Sequence, residues 1–211
     1  EFRRVLFRSL TKLLNGYNEL VSINQSAITK TEVVLKNLYR PTNSILANLD
    51  TSPDEEVITC EFGVNKGKFA IWKKENAAYK EILTEDRAGA IHAQVIDLDK
   101  DGKNDVVTLF TQGDEQLVWY KNLGNLKFER ILLLRFPPVY GSNYFEIADM
   151  DADGKLDIIY TCGDNADYTI TPKPYHGVYI YKNKGNQVFG QTNFFPVDGA
   201  TKSLARDFDN D

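Results

Sequence analysis

Short stretches of β-branched and aromatic residues recur along the chain, and none of them shows the 3.6-residue period of a helix. One type directly follows an acidic segment, as at residues 106–110 and 158–161. A second type precedes an Asn/Gly turn, as at 118–122 and 179–183, with a weaker equivalent at 71–73. These patterns predict strands joined by tight turns, four to each unit of about 50 residues.

The acidic segments give the repeat its register. Two full copies place aspartates at positions 1, 3, 5 and 9 and glycine at position 6, and a third copy begins near the C-terminus. A degenerate copy upstream keeps Asn48, Asp50, Ser52 and Glu56 at the same offsets but carries Pro53 in place of the glycine. In each full copy the acidic loop joins the first and second strands of its unit.

A four-stranded unit of this length is typical of a β-propeller blade, so the sequence predicts an all-β fold with about three and a half blades. A parallel solenoid or a stacked hairpin array is the rival geometry. The predicted organisation is residues 10–40 as the back half of a blade, 41–87 as a blade with the degenerate loop, 88–138 and 139–197 as blades with complete loops, and 198–211 as the start of a further blade.

The first nine residues carry three arginines without a β or helical period. We interpret residues 1–9 as a sequencing-adaptor artefact and expect the chain to be a fragment cut at both ends. Leu20–Ile23 and Val33–Lys36 are the strands expected in the segment that follows.

Composition narrows the function classes. With 25 basic and 30 acidic residues the net charge is -5, which argues against a nucleic-acid binder. No apolar run is long enough for a membrane span.

The two cysteines, Cys60 and Cys162, are too few for a disulfide framework or a zinc site, and we expect buried free thiols. Trp72, Tyr120 and Tyr181 recur at one position and are expected in the core, whereas Trp119 is expected to be exposed.

The acidic loops predict calcium sites with a structural role. Carboxylates at alternating positions on a tight loop supply the hard oxygen ligands that calcium prefers, and glycine permits the sharp turn. The loops are not EF-hands, because Thr108 and Tyr160 stand where a bidentate glutamate would be. The predicted ligands are Asp97, Asp99, Asp101, the Lys103 carbonyl and Asp105; Asp149, Asp151, Asp153, the Lys155 carbonyl and Asp157; and Asp207, Asp209 and Asp211 of the incomplete copy. A solvated acidic turn is the alternative, and it is the expectation for the Asn48 loop.

These loops resemble the FG-GAP/VCBS repeat family, whose calcium-loop blades also form the head of integrin α-subunits. The resemblance covers residues 41–211 well and 10–40 loosely. It implies a parent of seven blades, usually outside the cytoplasm, in the periplasm, on the cell surface or secreted. The Phe-Gly pair that names the family appears only as Phe62-Gly63, and the Gly-Ala pairs at 89–90 and 199–200 lack the following proline.

A ligand site is predicted on the face opposite the acidic loops, where the first strand of each blade begins. Counting back five residues from each loop gives Asn43, His92, Tyr144 and Lys202, which would surround the channel mouth. The long loop at 163–176 would form a wall, because long loops are often functional. Its candidate residues are Asp164, Asp167, Lys173, Tyr175 and His176.

Two functions fit this arrangement. The first is a non-catalytic calcium-stabilised module that binds a glycan, a peptide or a protein, completed by further blades of the same chain. The alternative is a carbohydrate-active enzyme, such as a polysaccharide lyase, that uses the same face. No Ser/His/Asp order, phosphate-binding glycine loop or histidine cluster is present, so the sequence favours the binding module.

Overall fold

A computed structural model describes residues 2–9, 15–24, 27–63, 66–76, 78–164 and 171–207, with side chains from residue 35 onwards. Within these ranges the chain forms fifteen β-strands and no α-helix, apart from a short 3-10 turn at Pro138–Tyr140. No described helix has the length and apolar character needed to cross a membrane. The predicted all-β class is confirmed.

Twelve of the strands form three antiparallel four-stranded sheets, each in simple sequential order. The first sheet contains β4 (Pro41–Ala47), β5 (Glu56–Glu61), β6 (Lys68–Glu75) and β7 (Ala78–Glu85). The second contains β8 (Ala90–Ile96), β9 (Asp105–Phe110), β10 (Glu115–Asn122) and β11 (Phe128–Phe136). The third contains β12 (Ser142–Ala148), β13 (Asp157–Cys162), β14 (Gly177–Asn183) and β15 (Phe189–Pro196).

A three-stranded sheet precedes them, formed by β1 (Phe2–Ser9), β2 (Asn15–Asn24) and β3 (Ala27–Tyr39). The strands β2 and β3 include the two stretches predicted as strands in this region. The sequence predicts no strand at β1. In the structure β1 pairs with β2 along its whole length, from Phe2 opposite Ile23 to Ser9 opposite Gly16.

The sheets pack face to face, and every residue of their second strands β5, β9 and β13 is buried. β5 and β9 each lie between two neighbouring sheets. β13 packs against the second sheet on one side, and on the other side Thr161 shares a hydrogen bond with Ser203 of the segment that follows β15. Between the first and second sheets Phe69 stacks on Tyr120, with ring centroids 4.5 Å apart. Between the second and third, Phe136 stacks on Tyr160 at 3.8 Å. Three four-stranded sheets stacked in this way are consistent with blades of a β-propeller fragment.

The first strands of the three sheets lie side by side. The Asn43 side chain on β4 accepts a hydrogen bond from the backbone N–H of Ala93 on β8, at 3.1 Å. The Gln94 side chain on β8 accepts from the Ile147 N–H at 3.0 Å and donates to the Ile147 carbonyl at 3.3 Å. The loops from first to second strand, at residues 48–55, 97–104 and 149–156, therefore lie at one common end of the sheets, and the starts of the first strands lie at the other.

Candidate functional site

Left-handed backbone at the fourth and sixth positions shapes both complete acidic loops. Lys100 and Gly102 have φ of 60° and 87°, and Ala152 and Gly154 have 57° and 83°. Glycine adopts such angles without steric cost, which explains its place at position 6. The Asn48 loop cannot make this turn, because the ring of Pro53 fixes φ near -65°.

The loop between β8 and β9 brings together three carboxylates. Oxygens of Asp97, Asp99 and Asp105 all lie within 4.8 Å of one another. The Asp97 carboxylate accepts backbone hydrogen bonds from Asp101 at 3.0 Å and Gly102 at 2.8 Å, which wraps the loop around it. Asp105 is fully buried and accepts from the backbone N–H groups of Leu98 and Asn122 at 3.1 and 2.8 Å.

The fourth predicted carboxylate of this loop lies outside the group. Asp101 accepts hydrogen bonds from the backbone and the ammonium of Lys103 at 3.0 and 2.7 Å, and the lysine lowers the pKa of the Asp101 carboxyl. Burial, in contrast, raises the pKa of Asp105, although its two backbone donors act in the opposite direction. The loop therefore has a fixed, buried end at Asp105 and a solvent-exposed end at Asp101.

The loop between β12 and β13 repeats the design with a different set of three. Oxygens of Asp149, Asp151 and Asp153 lie within 4.8 Å of one another. Asp157 lies at the buried end and accepts from the backbone N–H groups of Met150 and Asn183 at 3.2 and 2.8 Å, as Asp105 does in the previous loop. Of the incomplete third copy the structure describes Asp207, whereas Asp209 and Asp211 fall outside the described residues.

Each acidic loop also holds a lysine from the third strand of its own sheet. The ammonium of Lys121 pairs with Asp99, and that of Lys182 pairs with Asp151. In the degenerate loop Lys73 pairs with Asp50 at 2.6 Å. These lysines were not among the predicted site residues. The sequence feature that could have identified them is an aromatic residue followed by lysine, which recurs at 72–73, 120–121 and 181–182.

At the opposite end of the sheets, three of the four predicted first-strand residues form one stack. The rings of His92 and Tyr144 lie 4.4 Å apart at an interplanar angle of 26°. The ammonium of Lys202 lies 4.8 Å from the centroid of the Tyr144 ring. Asn43 instead binds the neighbouring strand through its Ala93 contact. Burial, together with the charge of Lys202, lowers the pKa of His92 to about 4, so the imidazole is neutral at pH 7.

The long loop between β13 and β14 is described at its two ends. Tyr175 stacks on Tyr140, with centroids 5.1 Å apart and planes 7° from parallel. His176 is only 3% exposed and packs edge-on against Tyr175, so its ring does not line the open surface. Asp164 and Lys173 lie at the two described ends, and Asp167 falls outside the described residues.

Residues 97–160 match the model of the FG-GAP-like repeat family. This stretch is an FG-GAP-like repeat. It begins at the first aspartate of one complete loop, includes the whole second loop and ends in β13. No curated protein matches the chain.

Proposed function

We propose that the chain is part of a calcium-stabilised β-propeller that acts outside the cytoplasm as a non-catalytic module for binding a glycan, a peptide or a protein. The observation that carries the metal assignment is the repeated group of three carboxylates in the loops of consecutive FG-GAP-like sheets. Hard oxygen donors on a glycine-containing loop suit calcium, which accepts 6–8 oxygens in flexible geometry.

One atom of the first loop supports the fit. The Asp99 Oδ1 atom is buried and has no hydrogen-bond partner among the described residues. A buried carboxylate oxygen without a partner is costly, and a bound cation would satisfy it. The residues that would hold the ion are Asp97, Asp99 and Asp105 in this loop and Asp149, Asp151 and Asp153 in the next. Such an ion would neutralise the repulsion between carboxylates that lie within 4.8 Å.

The ion would also support the packing between sheets, because the loops take part in it. Asn104 of the first complete loop donates to the carbonyl of Asn48 in the neighbouring sheet at 3.0 Å. Lys100 donates to the Gly154 carbonyl of the sheet on the other side. A metal that fixes one loop thus fixes contacts to both neighbours, which is the structural role we propose for calcium.

The ligand face is proposed at the stack of His92, Tyr144 and Lys202. It offers aromatic surface beside an exposed ammonium, a combination that suits the apolar faces and polar edges of a sugar or a peptide. His92 would contribute its neutral ring, because burial keeps its pKa near 4. Tyr175 and the described ends of the 163–176 loop would extend this face.

The ligand face can be tested with a glycan and peptide panel. Tyr144→Ala should weaken binding at least tenfold, whereas Phe195→Ala should leave it unchanged. Phe195 is the matched control because the residue is 51% exposed on the outermost strand of the same sheet. Ligand binding that survives Tyr144→Ala and is lost when loop aspartates are changed would refute the assigned face. Release of new reducing ends or unsaturated products would instead identify an enzyme.

A further inference from the structure

The lysine that reaches each acidic loop occupies the same place in all three four-stranded sheets. It follows the aromatic residue of the third strand, and that aromatic pairs with the residue just after the loop's ninth position. The pairs are Trp72 with Val57, Tyr120 with Val106, and Tyr181 with Ile158. Because the register is shared, Lys73, Lys121 and Lys182 extend towards the loops in the same way.

The partner is also the same in each case, namely the aspartate at the third loop position. Lys73 contacts Asp50 at 2.6 Å, and Lys121 and Lys182 contact Asp99 and Asp151. In the two complete loops this aspartate is a member of the clustered carboxylate group. The ammonium therefore bonds to a carboxylate that a metal would need.

We propose that this lysine is a tethered cation that replaces the metal in the 48–56 loop and competes with it in the two complete loops. The competition rests on the calcium binding proposed above. A lysine held by its own strand has a high local concentration at the loop, so the metal must displace or share its contact. A calcium affinity inferred from the loop sequences alone would therefore be too high.

The 48–56 loop shows what the lysine does where a metal site is incomplete. Asn48 and Ser52 stand where the complete loops have aspartates, and Pro53 prevents the left-handed turn. The Asn48 side chain donates to the Ser52 carbonyl at 2.7 Å, and the Ser52 N–H donates to Asp50 at 2.6 Å. The loop is thus closed by its own hydrogen bonds, with Lys73 as the cation.

The competition is tested by calcium titration of the full chain, followed by calorimetry or by terbium luminescence. Lys121→Gln should raise the calcium affinity of one site by roughly three- to tenfold, because an adjacent competing charge contributes about 1 kcal/mol. Lys127→Gln is the matched control, since it removes an exposed lysine from the following turn. Lys182→Gln, with Lys184→Gln as its control, repeats the test in the next sheet. Lys73→Gln should lower the melting temperature without creating a calcium site.

Each outcome decides between the two proposals. If the wild-type chain binds calcium and Lys121→Gln and Lys182→Gln have the affinity of their controls, the lysine inference is wrong and the metal assignment stands. If calcium binds only after the lysines are replaced, the lysine excludes the metal completely in the wild-type chain, and the competition is supported. If no variant and no wild-type protein binds calcium or terbium, the proposed metal site fails, and the competition fails with it. A gain of calcium binding by Lys73→Gln would overturn the replacement in the 48–56 loop.

Discussion

Removal of calcium should lower the free energy of unfolding in proportion to the number of loops that bind it. Two complete loops each bring three carboxylates within 4.8 Å. Extracellular-type sites often bind calcium with a dissociation constant near 0.1 mM. At about 1 mM free calcium, linkage then gives roughly 1.4 kcal/mol for each site, or about 3 kcal/mol for both. For a chain of this size that corresponds to a melting temperature lower by about 6–12 °C in chelator.

The assay is a thermal melt in calcium, in EDTA and in magnesium, with the metal content of the purified protein measured separately. Asp99→Asn keeps the shape of the side chain and should halve the calcium-dependent shift. Glu129→Gln removes an exposed charge on β11 and should leave the shift unchanged. Asp99→Asn also removes the Lys121 ion pair and so changes the melting temperature even without calcium. The variants are therefore compared by the difference between their melting temperatures in calcium and in EDTA. Identical melts in calcium and EDTA, with no calcium in the protein, would refute the metal assignment.

Two further predictions concern buried carboxylates and are measured in EDTA. Asp105→Ala leaves two buried N–H donors without an acceptor, so it should lower the free energy of unfolding by about 2–4 kcal/mol in urea titrations. Asp101→Ala is the control and should have little effect. Equal effects of the two substitutions would contradict the anchoring role of Asp105. Burial raises the pKa of Glu115 to about 7 from 4.5. At this group the folded chain therefore holds more protons than the unfolded chain between these values, so the contribution of Glu115 to stability should fall as pH rises through this window. The lowered pKa of His92 acts in the opposite direction below pH 6.5. Glu115→Gln should remove only this contribution in melts from pH 4.5 to 7.5, because burial raises the pKa of Glu61 to about 7 as well. A pH dependence identical to that of the wild type would disprove the role of Glu115.

The strand plan was predictable because it depends on local signals. The alternation of acidic loops and Asn/Gly turns marks where each strand begins and ends, and the structure has four strands in each of three such units. Cys60 and Cys162 are buried and free, as predicted. These features follow from residue type and spacing alone, without knowledge of which surfaces meet.

The predictions that failed depend on contacts between sheets. Trp119 was expected to be exposed because it alternates with Tyr120, but it is only 4% exposed. The third strand of the second sheet lies between two packed neighbours, so both of its faces are buried and alternation no longer distinguishes inside from outside. His176 is also buried, where it packs edge-on against Tyr175 at the loop end.

Within the loops, spacing located the carboxylates but could not say which of them come together. Asp101 and Asp153 occupy the same repeat position, and yet only Asp153 belongs to its group of three. Lys103 and Lys155 pair with them in the same way, so the difference is one of side-chain placement. The third-strand lysines were missed because a lysine after an aromatic residue also fits an ordinary solvent-exposed strand end. Only the register of the sheets shows that all three reach a loop.

The proposed metal loops and the proposed ligand face can influence each other only through the strands that join them. His92 precedes Asp97 by five residues of extended chain, which separates the two sites by roughly 16 Å. That distance exceeds the screening length of about 8–10 Å at physiological salt, so the charge of a bound ion acts weakly on Lys202 or the neutral His92. The hydrogen bonds between first strands, such as Asn43 to Ala93 and Gln94 to Ile147, offer the stronger route. A loop fixed by metal holds the end of its first strand, and that strand holds the aromatic stack. Calcium would therefore order the ligand face without contacting the ligand.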